Sequence, residues 1–152
     1  MLRWLSTARP LLRMWPELVI AVVDDDSSVR RALTRVIRSC GFRVEPFSSG
    51  DEFLRSIVDD EPDCVVLDVN MPEMNGWEVQ SHLGRTKPDI PVIVISGEHD
   101  PEALARAKRN GAHHYLRKPA DADLLLGAIR NAIASRRLDR LVESLTLVDE
   151  NH

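Results

Sequence analysis

The sequence predicts an α/β protein: a five-stranded, doubly wound parallel sheet with helices on both faces. Three observations predict it. Short apolar runs and amphipathic segments alternate five times along 152 residues, which is the pattern of parallel strands joined by right-handed helical crossovers. The runs are apolar at consecutive positions, as strands covered on both faces are. The runs end in carboxylates, a hydroxyl and a lysine, and parallel sheets gather functional groups at the C-terminal ends of their strands.

Leu18 to Val23 (LVIAVV) is the first strand, ended by Asp24, Asp25 and Asp26. Val29, Leu33, Val36 and Ile37 then recur at helical spacing, and Gly41 supplies a C-cap. Phe42 to Phe47 is the second strand. Ser49 precedes Glu52 by three residues, a capping-box spacing, and Phe53, Leu54, Ile57 and Val58 give the second helix its apolar face. Cys64 to Leu67 is the third strand, closed by Asp68. A short helix follows from Gly76 to Leu83. The fourth strand is Pro91 to Ser96. Pro101 opens a helix that ends at Arg109, before Asn110 and Gly111. The fifth strand is His114 to Lys118. A last helix runs from about Asp121 to Arg136, with Leu125, Ile129, Ala132 and Ile133 inward.

This organisation fills one domain, residues 17–136, with an N-terminal extension (1–16) expected to be flexible and a C-terminal helical extension or tail (137–152). A chain of this length buries roughly two-thirds of its unfolded surface. Residues 1–16 carry Arg3, Arg9 and Arg13 and no acid, so the rest has 17 basic against 24 acidic side chains. An acidic body is a poor partner for a phosphate backbone, and nucleic-acid binding by this chain is not expected. No apolar run approaches the roughly 20 residues a membrane span needs. Pro10 and Arg13 interrupt the N-terminal apolar stretch, which excludes a secretory signal and leaves a surface-binding piece or a start at Met14 as readings. Cys40 and Cys64 have no metal or redox spacing and read as free, buried thiols in a reducing cytoplasm. The cytoplasm is the expected location.

The strand ends carry the chemistry. If the strands are parallel and adjacent, Asp24, Asp25, Asp68, Ser96 and Lys118 crowd one edge of the sheet. Clustered carboxylates repel one another and need a cation among them. Carboxylates, a carbonyl and water are ligands that Mg2+ takes. The set suits phosphoryl transfer to a carboxylate, with Asp68 as nucleophile, Lys118 holding an oxygen, and Ser96 offering a hydroxyl. No separate pocket or general base for a small substrate is apparent, so a metabolic enzyme is not expected. Bland readings remain for single residues. Asp26 reads as a helix N-cap, Tyr115 as half-buried core, the five histidines as surface residues, and Trp77 as packing its helix on the sheet or covering the rim of the site.

Four motifs occur in order: VVDDD (22–26), LDVNMPEMNG (67–76), VIS (94–96) and YLRKP (115–119). Together they make residues 18 to about 136 resemble the receiver (CheY-like, flavodoxin-like) domain of two-component response regulators, nearest its FixJ-type branch. The resemblance implies that Asp68 accepts the phosphoryl group. It makes Asp24 and Asp25 the acidic pair that, with Asp68 and the carbonyl of Asn70, ligates Mg2+. Ser96 and Tyr115 become switch residues, Lys118 the site lysine, and Lys118–Pro119 a cis bond. It implies phosphorylation by a histidine kinase or a histidine phosphotransfer protein, and output by altered contact with a downstream protein. A homodimer through the fourth helix, fifth strand and fifth helix is a further implied partner. Two departures stand out: Ala120 where many relatives carry phenylalanine, and Gly97 where alanine is common.

The resemblance leaves rivals. A constitutive pseudo-receiver would not need the intact acids and lysine. An aspartate-nucleophile phosphatase of the haloacid-dehalogenase type would need a second acid two residues past Asp68, where Asn70 stands. A flavin-binding domain would set its phosphate against three aspartates. The segment RRLDRLVESLTLVDENH (136–152) repeats apolar residues at helical spacing. It reads as a continued helix covering apolar surface, as a dimerisation helix, or as the linker toward an output domain. Its last eight residues read as a frayed tail.

Overall fold

The computed structural model describes residues 17–71, 74–97 and 101–150, the last three as backbone. The strands are β1 (Val19–Val23), β2 (Arg43–Phe47), β3 (Cys64–Asp68), β4 (Val92–Ser96) and β5 (His114–Arg117). The helices are α1 (Ser27–Ser39), α2 (Gly50–Ser56), α3 (Gly76–Thr86), α4 (Pro101–Arg109) and α5 (Ala122–Glu150). All strands are parallel, in the order β2-β1-β3-β4-β5. The chain begins in the middle of the sheet, winds outward to β2, then returns through β3 to the other edge. The switch in winding direction falls between β1 and β3, where such sheets form their binding crevice.

Pleating divides the core in two. Ala21, Val23, Val65, Leu67 and Val94 face the side covered by α2, α3 and α4. Ile20, Val22, Val66, Ile93 and Ile95 face the side covered by α1 and α5. Because both faces are covered, β1, β3 and β4 need apolar residues at nearly every position. Pro46 is tolerated because β2 is an edge strand.

The helix ends follow local chemistry. Asp26 caps α1 by accepting from the backbone N–H of Ser28 and Val29. Ser49 caps α2 through the Glu52 N–H at 3.1 Å, while the Glu52 carboxylate reaches back to Ser48 rather than to Ser49. Gly41 ends the α1 turn at φ 90°, a conformation glycine adopts without a Cβ penalty.

Three expectations are corrected. Val58 lies beyond the end of α2 and is 73% exposed, so it is not part of that helix's apolar face. Cys40 is only half-buried, whereas Cys64 is buried and its thiol is pushed up to about 12, chiefly by burial. The last helix does not stop near Arg136 but continues unbroken to Glu150, through most of the stretch read as a frayed tail. The N-terminal extension 1–16, His99 and His152 lie outside the described residues.

Candidate functional site at the carboxyl edge of the sheet

Parallel register brings the strand-end residues together. Asp24 follows β1, Asp68 ends β3, Ser96 ends β4, and Lys118 follows β5. Asp24, Asp68 and Ser96 are almost wholly buried, at 1%, 2% and 0% exposure, and Asp25 is exposed. Lys118 Nζ lies 3.0 Å from Asp24 Oδ2 and 3.3 Å from Asp68 Oδ2. The backbone N–H of Asn70 donates to Asp68 Oδ1 at 3.0 Å, and that of Asp26 donates to Asp24 Oδ1 at 2.9 Å. The Asn70 side-chain amide lies 3.5 Å from Ser96 Oγ, which joins β3 to β4 across the site.

The electrostatics follow from burial. Desolvation raises the Asp68 carboxyl to about 6 and the nearby Asp24 charge adds to it; the Asn70 N–H and the Lys118 ammonium pull the other way. For Lys118, burial is the largest single influence and lowers its pKa. The combined pull of Asp24 and Asp68 outweighs it, so the ammonium is held above its ordinary range. One carboxylate oxygen from each of Asp24, Asp25 and Asp68 can be chosen so that all lie within 4.8 Å of one another. One ammonium against three carboxylates leaves the cluster negative. Asp24 Oδ2 is buried and, beyond its ion pair, accepts no well-aligned hydrogen bond. A hard divalent cation with oxygen ligands fits such a donor set.

Other expected residues are placed as follows. Tyr115 is half-buried and packs against the core on the α2–α4 side, opposite Val94 in register. Trp77 is buried in that same core, with the Arg106 guanidinium 4.7 Å above its ring, so it packs its helix on the sheet. The Lys118–Pro119 bond is cis. His113 is not a surface residue: its Nδ1 is buried, and burial lowers its pKa.

Two contributors were not read from the sequence. Arg30, one turn into α1, donates from Nη1 to the Asp24 carbonyl at 2.7 Å and ties the acidic loop to the helix. Gly76 lets the start of α3 pass under Asp68; a Cβ there would lie 2.4 Å from the Asp68 carbonyl oxygen. A glycine directly after the loop MPEMN was the available signal, and helix opening was the simpler explanation for it.

A doubly wound parallel sheet with a buried aspartate, two further acids and a lysine at its carboxyl edge is the arrangement of a CheY-like receiver. Residues 20–130 match the family model described as the response regulator receiver domain, and the chain belongs to that family. Similar proteins include the response regulator protein TmoT of Ectopseudomonas mendocina, 44% identical over 77% of this chain and 53% of its own length. Among solved structures, a response regulator receiver domain protein from Clostridium thermocellum is 32% identical at a TM-score of 0.75, covering 80% of this chain and 98% of its own. The response regulator StyR is 34% identical at a TM-score of 0.78, covering 89% and 68%. The chain spans about half the length of the curated relatives it matches. These similarities do not single out the FixJ-type branch.

Proposed function

We propose that this chain is a phosphorylation-driven switch in which Asp68 accepts a phosphoryl group from a histidine kinase or a histidine phosphotransfer protein. The observation that carries the reading is the convergence of Asp24, Asp25, Asp68 and Lys118 from three strand ends into one negative cluster. In the reaction an Asp68 carboxylate oxygen attacks phosphorus. The bond from phosphorus to the donor's leaving group breaks, and an aspartyl phosphate forms.

The chain's own residues do the positioning. The Asn70 N–H and the Lys118 ammonium, one on each oxygen, fix the Asp68 carboxylate. Lys118 then supplies positive charge to the transferred group's oxygens. Ser96 stands one strand away as a hydroxyl for the product, and Tyr115, on the neighbouring strand, is the aromatic group that moves with it. Asp24, Asp25, Asp68 and the Asn70 carbonyl would hold Mg2+, which neutralises phosphoryl oxygens when bound. The phosphorylated state shifts an equilibrium between two shapes, and the output is altered contact with a downstream protein. The chain acts as a switch in the cytoplasm and catalyses at most its own phosphorylation and dephosphorylation.

The test is incubation with acetyl phosphate or phosphoramidate and Mg2+, followed by intact mass. One phosphoryl group, acid-stable and base-labile and absent in Asp68→Asn, is expected. No adduct on folded protein would move the reading to a constitutive pseudo-receiver, and steady turnover of phosphomonoesters to a phosphatase.

A further inference from the structure

Arg30 follows three consecutive aspartates by one helical turn, and its guanidinium is bonded to none of their carboxylates. Its backbone N–H donates to the Asp26 carbonyl at 2.9 Å, in the first turn of α1. Its side chain turns back over the same loop, where Nη1 donates to the Asp24 carbonyl at 2.7 Å. Among the described residues it forms no ion pair with a carboxylate. Yet its charge is felt in the loop. The Asp26 carboxyl is held below its ordinary range, first by the N–H groups of Val29 and Ser28 and more weakly by the charges of Lys118 and Arg30. A guanidinium beside carboxylates gains most by taking them as partners, since charge-assisted hydrogen bonds are the stronger ones. Here it grips the main chain and leaves the acidic oxygens open.

That grip fixes the position of Asp25. Asp25 is exposed, so its carboxylate is placed by the two peptides that flank it and not by packing. The peptide before it carries the Asp24 carbonyl, held by Arg30. The peptide after it carries the Asp26 N–H, held by Asp24 Oδ1 at 2.9 Å. Asp24 itself is tied at its other polar groups: its N–H donates to the Phe47 carbonyl at 3.1 Å, and its Oδ2 pairs with Lys118 at 3.0 Å. Without Arg30 the peptide before Asp25 loses the partner of its carbonyl and is free to turn. Turning it carries Asp25 away from the place where its oxygen lies within 4.8 Å of those of Asp24 and Asp68.

We propose that Arg30 is a positioning residue for the cation site: by holding the Asp24 carbonyl it fixes the peptide that carries Asp25, and so sets how tightly Asp24, Asp25 and Asp68 take Mg2+. The inference rests on the reading of those three acids as a metal site. Groups that orient ligands without touching the ion change metal affinity by roughly 10–100-fold when removed. The loop held by Arg30 is already shaped, so binding does not have to order it. Charge acts with the opposite sign. A positive group near a cation site repels the cation, so on charge alone the removal of Arg30 would strengthen binding. Geometry and charge therefore predict changes in opposite directions. Arg31 provides the comparison: it is exposed, carries the same charge, and bonds through Nε to the Ser27 carbonyl at 3.3 Å and not to the peptides around Asp25.

The test is calorimetric titration of the whole unphosphorylated chain with Mg2+. Arg30→Met keeps an unbranched apolar stem and removes the donors, and it should weaken Mg2+ binding by about tenfold. Arg31→Met removes the same charge and should leave binding unchanged or slightly tighter. Arg30→Lys keeps a donor and should recover most of the affinity. With acetyl phosphate, Arg30→Met should need about tenfold more Mg2+ for its half-maximal rate and reach the parent's rate at saturation. Urea transitions without Mg2+ show that each variant is folded, and Arg30→Leu, also a good helix former without a donor, carries the comparison should the methionine variant not fold. An Arg30→Met chain that binds Mg2+ as tightly as the parent, or tighter, overturns the inference. Equal weakening in Arg31→Met does the same, as does a lost saturated rate at unchanged Mg2+ affinity. A parent that binds no Mg2+ overturns this inference together with the reading of the site, so the parent alone tells the two failures apart.

Discussion

Lys118 sits between two carboxylates that have almost no contact with water, and its ammonium is their nearest countercharge. Removing one partner of such a set leaves buried charge unpaired, which costs more than the set contributes. Lys118→Ala should therefore lower the metal-free protein's stability by about 3 kcal/mol, read as a lower urea midpoint. Mg2+ should restore part of the loss by binding only the folded state. Asp68→Asn should act in the opposite direction. The Asp68 carboxyl ordinarily titrates at 3.8 and is raised by burial to about 6 in the fold. Between those values the folded chain holds its proton longer than the unfolded chain does. Stability therefore falls as pH rises through that window, and the penalty is complete above about 6. The asparagine variant escapes the penalty. It should be more stable than the metal-free parent near neutral pH, by on the order of 1–3 kcal/mol, and the two curves should converge below pH ~4. A gain that persists unchanged in acid would mean that packing, not ionisation, sets the difference.

At the scale of elements, α3 contains two glycines with opposite duties. Gly76 opens the helix where its backbone passes under Asp68, and a Cβ there would lie 2.4 Å from one backbone atom and 2.5 Å from another. Neither neighbour is a flexible side chain. Gly76→Ala should cost about 2 kcal/mol or more and slow phosphorylation by displacing Asp68. Gly84 lies in the same helix with nothing within 4 Å of its would-be Cβ. Gly84→Ala should stabilise by roughly 0.5–1 kcal/mol and leave the site untouched. Urea midpoints of the two variants, measured side by side, check both. These contrasts mark what the sequence could and could not reveal. The central strands β1, β3 and β4 were legible because burial on both faces leaves runs rich in valine and isoleucine, and Asp24, Asp68 and Ser96 were legible because they end those runs. The close pass at Gly76 was not, since it depends on where another strand ends in space. The side of α5 that Leu138 faces was equally hidden: helical spacing alone does not say which stripe meets the sheet.

For the whole molecule, the end of α5 that extends beyond the core decides whether stability depends on concentration. A body held only by its own two core layers unfolds at a temperature independent of how much protein is present. If folded chains pair through α5, association draws on the folded state alone and the midpoint rises with concentration. Shortening the chain after Arg136 removes Leu138, Leu141 and Leu145, which are 62%, 61% and 68% exposed. Both core clusters end at or before Ile133, so the shortened chain keeps every buried apolar contact. Thermal scans over a wide dilution series should therefore give a flat Tm for the shortened chain, and a Tm that rises with concentration for the full chain only if it pairs through the exposed end of α5. The two should coincide at the dilute end, where the full chain is monomeric. A shortened chain that melts lower even there would show that residues 137–152 stabilise the body directly, through contacts with the sheet and not with a second copy.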